Sequence, residues 1–214
     1  MSRLTLFCGL VLFSLPLAAQ TEAVDVVDKL QTALMRSAGF SDFSERLQAV
    51  STTIEETHDF STIARLVTGR HWRTLSATQR TKFLEKFSKL SAMAYAERFK
   101  DVGVSKFSHI ETLEQPRNSK KVISSLTLDK NASFSEISTK ESLSFEYVLH
   151  RSDAEQSTQE SADSRWQIIN VVVDGVSDLA LKRSNYASIL SEDGFDALID
   201  HLNEKIARIQ KTPQ

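Results

Sequence analysis

Apolar residues recur at helical spacing through the first half of the chain and alternate with polar ones through much of the second. Phe43, Leu47, Val50 and Ile54 fall 4, 3 and 4 residues apart, the spacing of one helix face. Asp59 is placed to cap a short helix bearing Phe60, Ile63, Ala64, Leu66 and Val67, with Gly69 as its stop. Ser76 and Gln79 form a capping box for a long helix, along which Phe83, Phe87, Leu90 and Ala94 make a stripe continued by Met93, Tyr95 and Phe99. Val27, Leu30, Ala33 and Leu34 predict a further helix ahead of these.

From about residue 105 the period shortens to two. Strands are predicted over 107–113, 122–128, 143–149 and 166–173. The third is the plainest, with Leu143, Phe145, Tyr147 and Leu149 alternating against Ser144, Glu146 and His150. The fourth is apolar on both sides, Ile168 and Val172 on one and Ile169, Val171 and Val173 on the other, as in a strand covered on both faces. The polar run 151–164 between them reads as a mobile hairpin loop. Asp174-Gly175 reads as a turn leading to Ser177 as a helix cap, Tyr186, Ile189 and Leu190 sit on a short helix, and Ser191 is placed to cap a last one. There Phe195, Leu198, Ile199, Leu202, Ile206 and Ile209 share a face. The order predicts an α+β fold: a curved antiparallel sheet of about four strands wrapped by helices, a shape that encloses a cone-like cavity.

The first twenty residues change the picture. One basic residue, Arg3, precedes an apolar run from Leu4 to Leu15, then Pro16-Leu17-Ala18-Ala19. That is the layout of a secretory signal peptide over 1–19, and the run is too short for the roughly 20 residues of a bilayer span. The reading makes 20–214 a single exported domain. Removing the leader removes the only cysteine, Cys8, so a hydrophobic core and no disulfide must hold the fold. Without Arg3, 25 basic residues face 28 acidic ones, a net charge of −3. With no basic stripe, nucleic acid is not expected as a partner, nor is tight adhesion to an anionic membrane surface.

Chemistry-bearing motifs are sparse. His58, His71, His109, His150 and His201 stand in no metal-ligand pattern, and no G-x-S-x-G, Walker loop or G-x-G-x-x-G occurs. No catalytic residue, metal or cofactor is therefore expected. His58-Asp59 and His71 have the groups for acid–base work, but their neighbours read as caps and a turn. A cavity enzyme of the ketosteroid isomerase type would need an Asp or His facing inward, and the strands offer Leu, Phe, Tyr, Ile and Val instead.

Two stretches carry a family resemblance. Phe60 leads through Ala64-Arg-Leu-Val-Thr-Gly-Arg-His-Trp-Arg73 to Gln79-Arg80, Phe83, Phe87 and Tyr95; Trp166-Gln-Ile-Ile-Asn-Val-Val-Val-Asp-Gly-Val-Ser177 is followed by Arg183-Ser184, Gly194 and Leu198-Ile199. In order and spacing these resemble the toluene-tolerance family, which comprises the periplasmic phospholipid-binding component of the maintenance-of-lipid-asymmetry pathway and its hopanoid-associated relatives. The resemblance runs from about Val24 to Ile209. It implies a fold related to nuclear transport factor 2 with acyl chains in a deep apolar pocket, a periplasmic location, and phospholipid as cargo. It also implies two partners, an inner-membrane lipid ABC transporter complex and an outer-membrane lipoprotein–porin complex. The chain departs from the family at Asn170, where an acidic residue is usual, and at Lys182, where an aromatic is usual.

Sheet alternation points whole rows one way, so Leu126, Phe145, Tyr147, Leu149, Val172 and Val176 are the wall candidates from the strands. Phe87 and Leu90 join them from the long helix, although residues at that spacing are core residues first. Lys182 and Arg183 are the head-group candidates at the mouth, with a solvated helix face as the plain alternative. Pocket wall and packed core use the same residue types, which leaves a structural or adaptor protein of the periplasm open beside the carrier.

Overall fold

A computed structural model of the chain describes residues 22–102, 104–129, 141–151 and 165–211. The leader at 1–19 and most of the 151–164 loop lie outside them. Among the described residues there are six α-helices, a short 3-10 turn and one antiparallel sheet: α1 (Ala23–Ser37), α2 (Phe43–Thr57), α3 (Phe60–Thr68), the 3-10 turn Gly69–Arg73, α4 (Ala77–Arg98), β1 (Lys106–Gln115), β2 (Ser119–Thr127), β3 (Ser142–Arg151), β4 (Trp166–Val173), β5 (Val176–Ser177), α5 (Asp178–Glu192) and α6 (Gly194–Lys211). The sheet order is β1-β2-β3-β4-β5, a meander of the α+β class whose fifth strand is only two residues long.

Local chemistry starts and stops the helices as the sequence suggests. Asp59 accepts from Thr62 N, Ser76 and Gln79 exchange both bonds of a capping box, and Ser177 accepts from Ala180 N. Gly69 closes α3 at φ 57°, a region glycine enters without a Cβ penalty. Ser191 caps nothing: α5 continues through it to Glu192, its hydroxyl donates to Ala187 O, and the break falls at Gly194, φ 85°. A serine bonding back four residues is as compatible with a helix interior as with a cap, and local sequence does not separate the two.

The helices and the sheet bury two clusters. In one, α1 supplies Val27, Leu30 and Leu34, α2 supplies Val50 and Ile54, and β2–β4 supply Val122, Leu126, Leu143, Leu149 and Ile168. The other joins α3, α4, α5 and α6 around Val67, Phe83, Phe87, Met93, Tyr186, Leu198 and Leu202. Phe83 and Phe87 stack with centroids 5.4 Å apart, and Tyr186 meets both edge-on. Arg46 is buried where α1 turns into α2, and its guanidinium donates to the carbonyls of Phe40, Ser41 and Ala96, so the buried cation is well satisfied.

Strand β4 departs from simple alternation. Its register against β3 slips at Ile169: Leu149 pairs with Ile168 but Val148 with Asn170, Tyr147 with Val171, Glu146 with Val172 and Phe145 with Val173. One extra residue in one strand is a β-bulge, and it reverses which side chains share a row. Ile168, Val171 and Val173 therefore join the inner row of Phe145, Tyr147 and Leu149. Val172 falls opposite Glu146 on the other row, contrary to its sequence assignment beside Ile168.

Candidate functional site

A cavity of about 170 Å³ opens on the seam between the two clusters. Four pieces of chain wall it, and each is there for a local reason. Phe87, Ser91, Ala94, Tyr95 and Arg98 come from α4 at spacings of 4, 3, 1 and 3, one helix face. From the sheet come Phe145, Ile168, Val171 and Val173, brought into one row by the bulge, together with Ile169 and Asn170 at the bulge itself. His58, Phe60 and Ile63 enter at the α2–α3 junction, which is pinned to the sheet by a parallel bridge from His58 to Ile168 and by the Asp59 N–H donating to Ile168 O at 3.0 Å. The start of α5 adds Asp178, Leu179 and Lys182. Most of the wall is apolar, and its polar groups fall into two sets.

The first set is His58 with Tyr95. The His58 Nδ1 lies 3.0 Å from Ile54 O, and a carbonyl can only accept, so Nδ1 carries the proton and Nε2 accepts from the Tyr95 hydroxyl at 3.2 Å. Burial lowers the His58 pKa from 6.5 to about 4, against the opposing effect of the Ile54 carbonyl. Burial likewise raises the Tyr95 pKa above the ordinary phenol value. An imidazole held neutral, with its one lone pair already engaged, is a poor general base for a cavity ligand. These two groups stitch α2 to α4.

The second set is Lys182 with Asp178, one turn apart on α5 and in direct contact. The ammonium also lies 5.9 Å from the Phe87 ring centroid. Burial lowers the Lys182 pKa, and Asp178 pulls it back up. The Asn170 Oδ1 is engaged: it accepts from Leu179 N and the Ser177 hydroxyl, both at 3.2 Å, and so anchors the start of α5 to β4.

Of the residues singled out in the sequence, the structure brings Phe87, Phe145 and Lys182 together on this cavity. Leu126, Tyr147 and Leu149 are buried instead in the cluster beneath α1, where the Gln31 amide donates to the Tyr147 hydroxyl at 3.3 Å. Leu90 belongs to the helical cluster. Val172 faces away with Glu146, and Val176 is 55% exposed in the short β5, because two residues of hairpin give it nothing to pack under. Arg183 is exposed and turns toward Gly69, while its neighbour Lys182 lines the cavity. Sequence reasoning passed over His58, Tyr95, Arg98, Asn170 and Asp178 as wall residues. The helical spacing of 87, 91, 94, 95 and 98 was the available signal, diluted by the equally regular stripe that buries Phe83 and Leu90.

The other histidines sit elsewhere. His150 Nε2 lies 2.8 Å from Asp59 Oδ2; burial alone would raise that carboxyl, but the hydrogen bonds from His150 and Thr62 outweigh it and hold its pKa down at about 2. His71 meets Ser191, His109 meets Thr112, and His201 lies edge-on to Tyr186. Among the described residues no three His, Cys, Asp or Glu side chains cluster to hold a metal ion, and no helix is long and apolar enough to cross a membrane.

Set beside known proteins, the chain matches the family model described as MlaC protein over residues 24–204. No curated protein matches it. Among solved structures it resembles the phospholipid-binding protein from Ralstonia solanacearum, determined in complex with a phospholipid, with a TM-score of 0.69 at 17% identity, covering 88% of this chain and 97% of that one. At that identity the likeness is one of fold.

Proposed function

The chain belongs to the MlaC protein family, and we propose that it is a phospholipid carrier: a binding protein rather than an enzyme, with the cavity between its two clusters as the acyl-chain site. The observation that carries the reading is the wall of that cavity. It is apolar over most of its extent, and its one histidine is neutral and already engaged, so what it offers above all is burial. The relative from Ralstonia solanacearum, whose fold this chain shares, holds a phospholipid.

Magnitudes say what such a carrier must do. Burying a methylene is worth about 0.8 kcal/mol, so two chains of roughly 14 methylenes represent over 20 kcal/mol against water. A carrier must match most of that with dry surroundings. The cavity of about 170 Å³ is close to the ~150 Å³ engineered cavity that takes one benzene, far short of two acyl chains. Loading therefore requires α4 and α5 to part from β3 and β4 along the seam, where the two clusters meet without sharing buried residues.

In this proposal residues 1–19 direct export to the periplasm, and 20–214 form one lipid-binding domain. The carrier shuttles phospholipid between an inner-membrane lipid ABC transporter complex and an outer-membrane lipoprotein–porin complex, with no nucleic acid partner. A net charge of −3 after leader removal gives it little attraction to bare anionic bilayers, so exchange depends on those protein partners. The test is transfer of fluorescent phospholipid from the loaded protein to vesicles with and without the two complexes reconstituted. Transfer that needs the complexes supports the reading; failure to take up lipid at all leaves the packed adaptor protein in its place.

A further inference from the structure

The mouth of the cavity holds more positive charge than its own carboxylate can balance. Lys182 reaches it from α5 and Arg98 from the last turn of α4, and both line the same cavity with Asp178. The Lys182 side chain keeps a quarter of its exposure, with its ammonium against Asp178 and 5.9 Å from the Phe87 ring centroid. Asp178 engages one of its three donors. Arg98 is exposed and makes no hydrogen bond or ion pair among the described residues. The two cations are near enough to repel: after burial and the opposing pull of Asp178, the Arg98 charge further disfavours the charged form of Lys182. Two cations against one carboxylate leave a net charge of +1 at the rim of an apolar cavity.

We propose that Arg98 and Lys182 form a phosphate subsite that holds the phosphodiester of a lipid whose acyl chains lie in the cavity. This rests on the carrier reading above. One phosphodiester charge neutralises the excess, and an amphiphile with its tails inside necessarily leaves that group at the mouth. Arg98 suits the role because a guanidinium fork binds two phosphate oxygens at once, and among the described residues it has no partner to give up. At the start of α5 two backbone donors are already engaged, Leu179 N by Asn170 and Ala180 N by Ser177. Arg183, turned toward Gly69, stays outside the subsite.

The experiment titrates delipidated full-length mature protein with phosphatidylglycerol, with diacylglycerol of the same chains, and with a free fatty acid. It uses the wild type, Arg98→Gln, Lys182→Met and the double variant. Wild type is expected to prefer phosphatidylglycerol over diacylglycerol by roughly tenfold or more, the scale of a hydrogen bond to a charged group. Arg98→Gln removes most of that preference by lowering phosphatidylglycerol affinity far more than diacylglycerol affinity, and the double variant removes the rest. Because Arg98 is exposed, its variant folds even where Lys182→Met leaves Asp178 poorly partnered; thermal melts of all four proteins check this. Equal wild-type affinity for phosphatidylglycerol and diacylglycerol overturns the subsite and leaves the carrier standing. So does an Arg98→Gln loss that is the same for both lipids, or a fatty acid bound more tightly than phosphatidylglycerol. Absence of binding by every ligand overturns the subsite and the carrier reading together.

Discussion

Tyr147 and Phe145 are two residues apart on one strand, share its inner row, and stack with ring centroids 6.1 Å apart at 19°. Yet they end in different surroundings. Tyr147 lies under α1, where Val27, Leu30 and Leu34 are fully buried and Gln31 satisfies its hydroxyl. Phe145 faces Phe99, Phe107 and the cavity. The strand does not make the difference; the helix above it does. Over the packed end α1 presents large aliphatic side chains. Over the open end α4 presents Ser91 and Ala94, too short to fill the space down to the sheet. A floor of the same residue types becomes core under one roof and cavity under the other.

The widest contrast should appear in truncations. Leu149→Ala at the packed end is expected to cost about 2–5 kcal/mol. Phe145→Ala should fall below the roughly 3–5 kcal/mol of a close-packed Phe, because one of its neighbours is already empty space. Urea unfolding of the two variants measures both, and a Phe145→Ala cost within the close-packed range would erase the distinction. Phe145→Glu sharpens it further: a carboxylate set against hydrocarbon should leave a folded, less stable protein that has lost most of its lipid, and a variant that folds with its full load would take this face out of the site.

Acid should loosen the junction beside the cavity by about 3 kcal/mol, at 1.36 kcal/mol per pKa unit. His58 has a folded-state pKa near 4 against 6.5 in the unfolded chain, so between those values the unfolded state binds the extra proton. Stability is therefore full above about pH 6.5 and declines as pH falls toward 4. Asp59, held at about 2 from 3.8, adds a second decline below that window as its bond to His150 is lost. Denaturation across pH should show the upper decline vanish in His58→Gln; a decline that persists there assigns it to other groups.

The smallest effect belongs to the far end of α4. Ser76→Ala removes a capping box about thirty ångströms of helix away from the mouth, at ~1.5 Å per residue, and should cost ~1 kcal/mol. Melting should drop slightly with lipid affinity unchanged. An equal loss of affinity would mean the whole helix, and not its Ser91 and Ala94 face, governs the cavity.

Much of this was legible from local chemistry. Caps at Asp59, Ser76 and Ser177 and the stop at Gly69 depend on residues within one turn, and β3 wears its alternation openly. The inner row of β4 was not legible, because a bulge at Ile169 is decided by pairing with Val148 and Leu149 and leaves no mark in an unbroken apolar run. For the same reason Val172 was assigned to the wrong row. The split between filled and open floor was equally hidden: Tyr147 and Leu149 look like Phe145 until α1 is laid over them. Arg98 carries no mark in the sequence and His58 stands out only for an acid–base pair beside a cap, since nothing in the sequence says that the end of α4 and the α2–α3 junction meet across one opening.

If lipid sits in the seam, filling the cavity should exclude it. Ala94→Trp should plug the open end from α4 without touching the packed end, while Leu149→Ala should weaken the packed end without touching the seam. Native mass spectrometry of wild type and both variants, purified gently from the same cells, reads the lipid load of each. Near-stoichiometric phospholipid is expected on wild type and Leu149→Ala, and little or none on a well-folded Ala94→Trp. Wild type without lipid, or a folded Ala94→Trp with a full load, would contradict it.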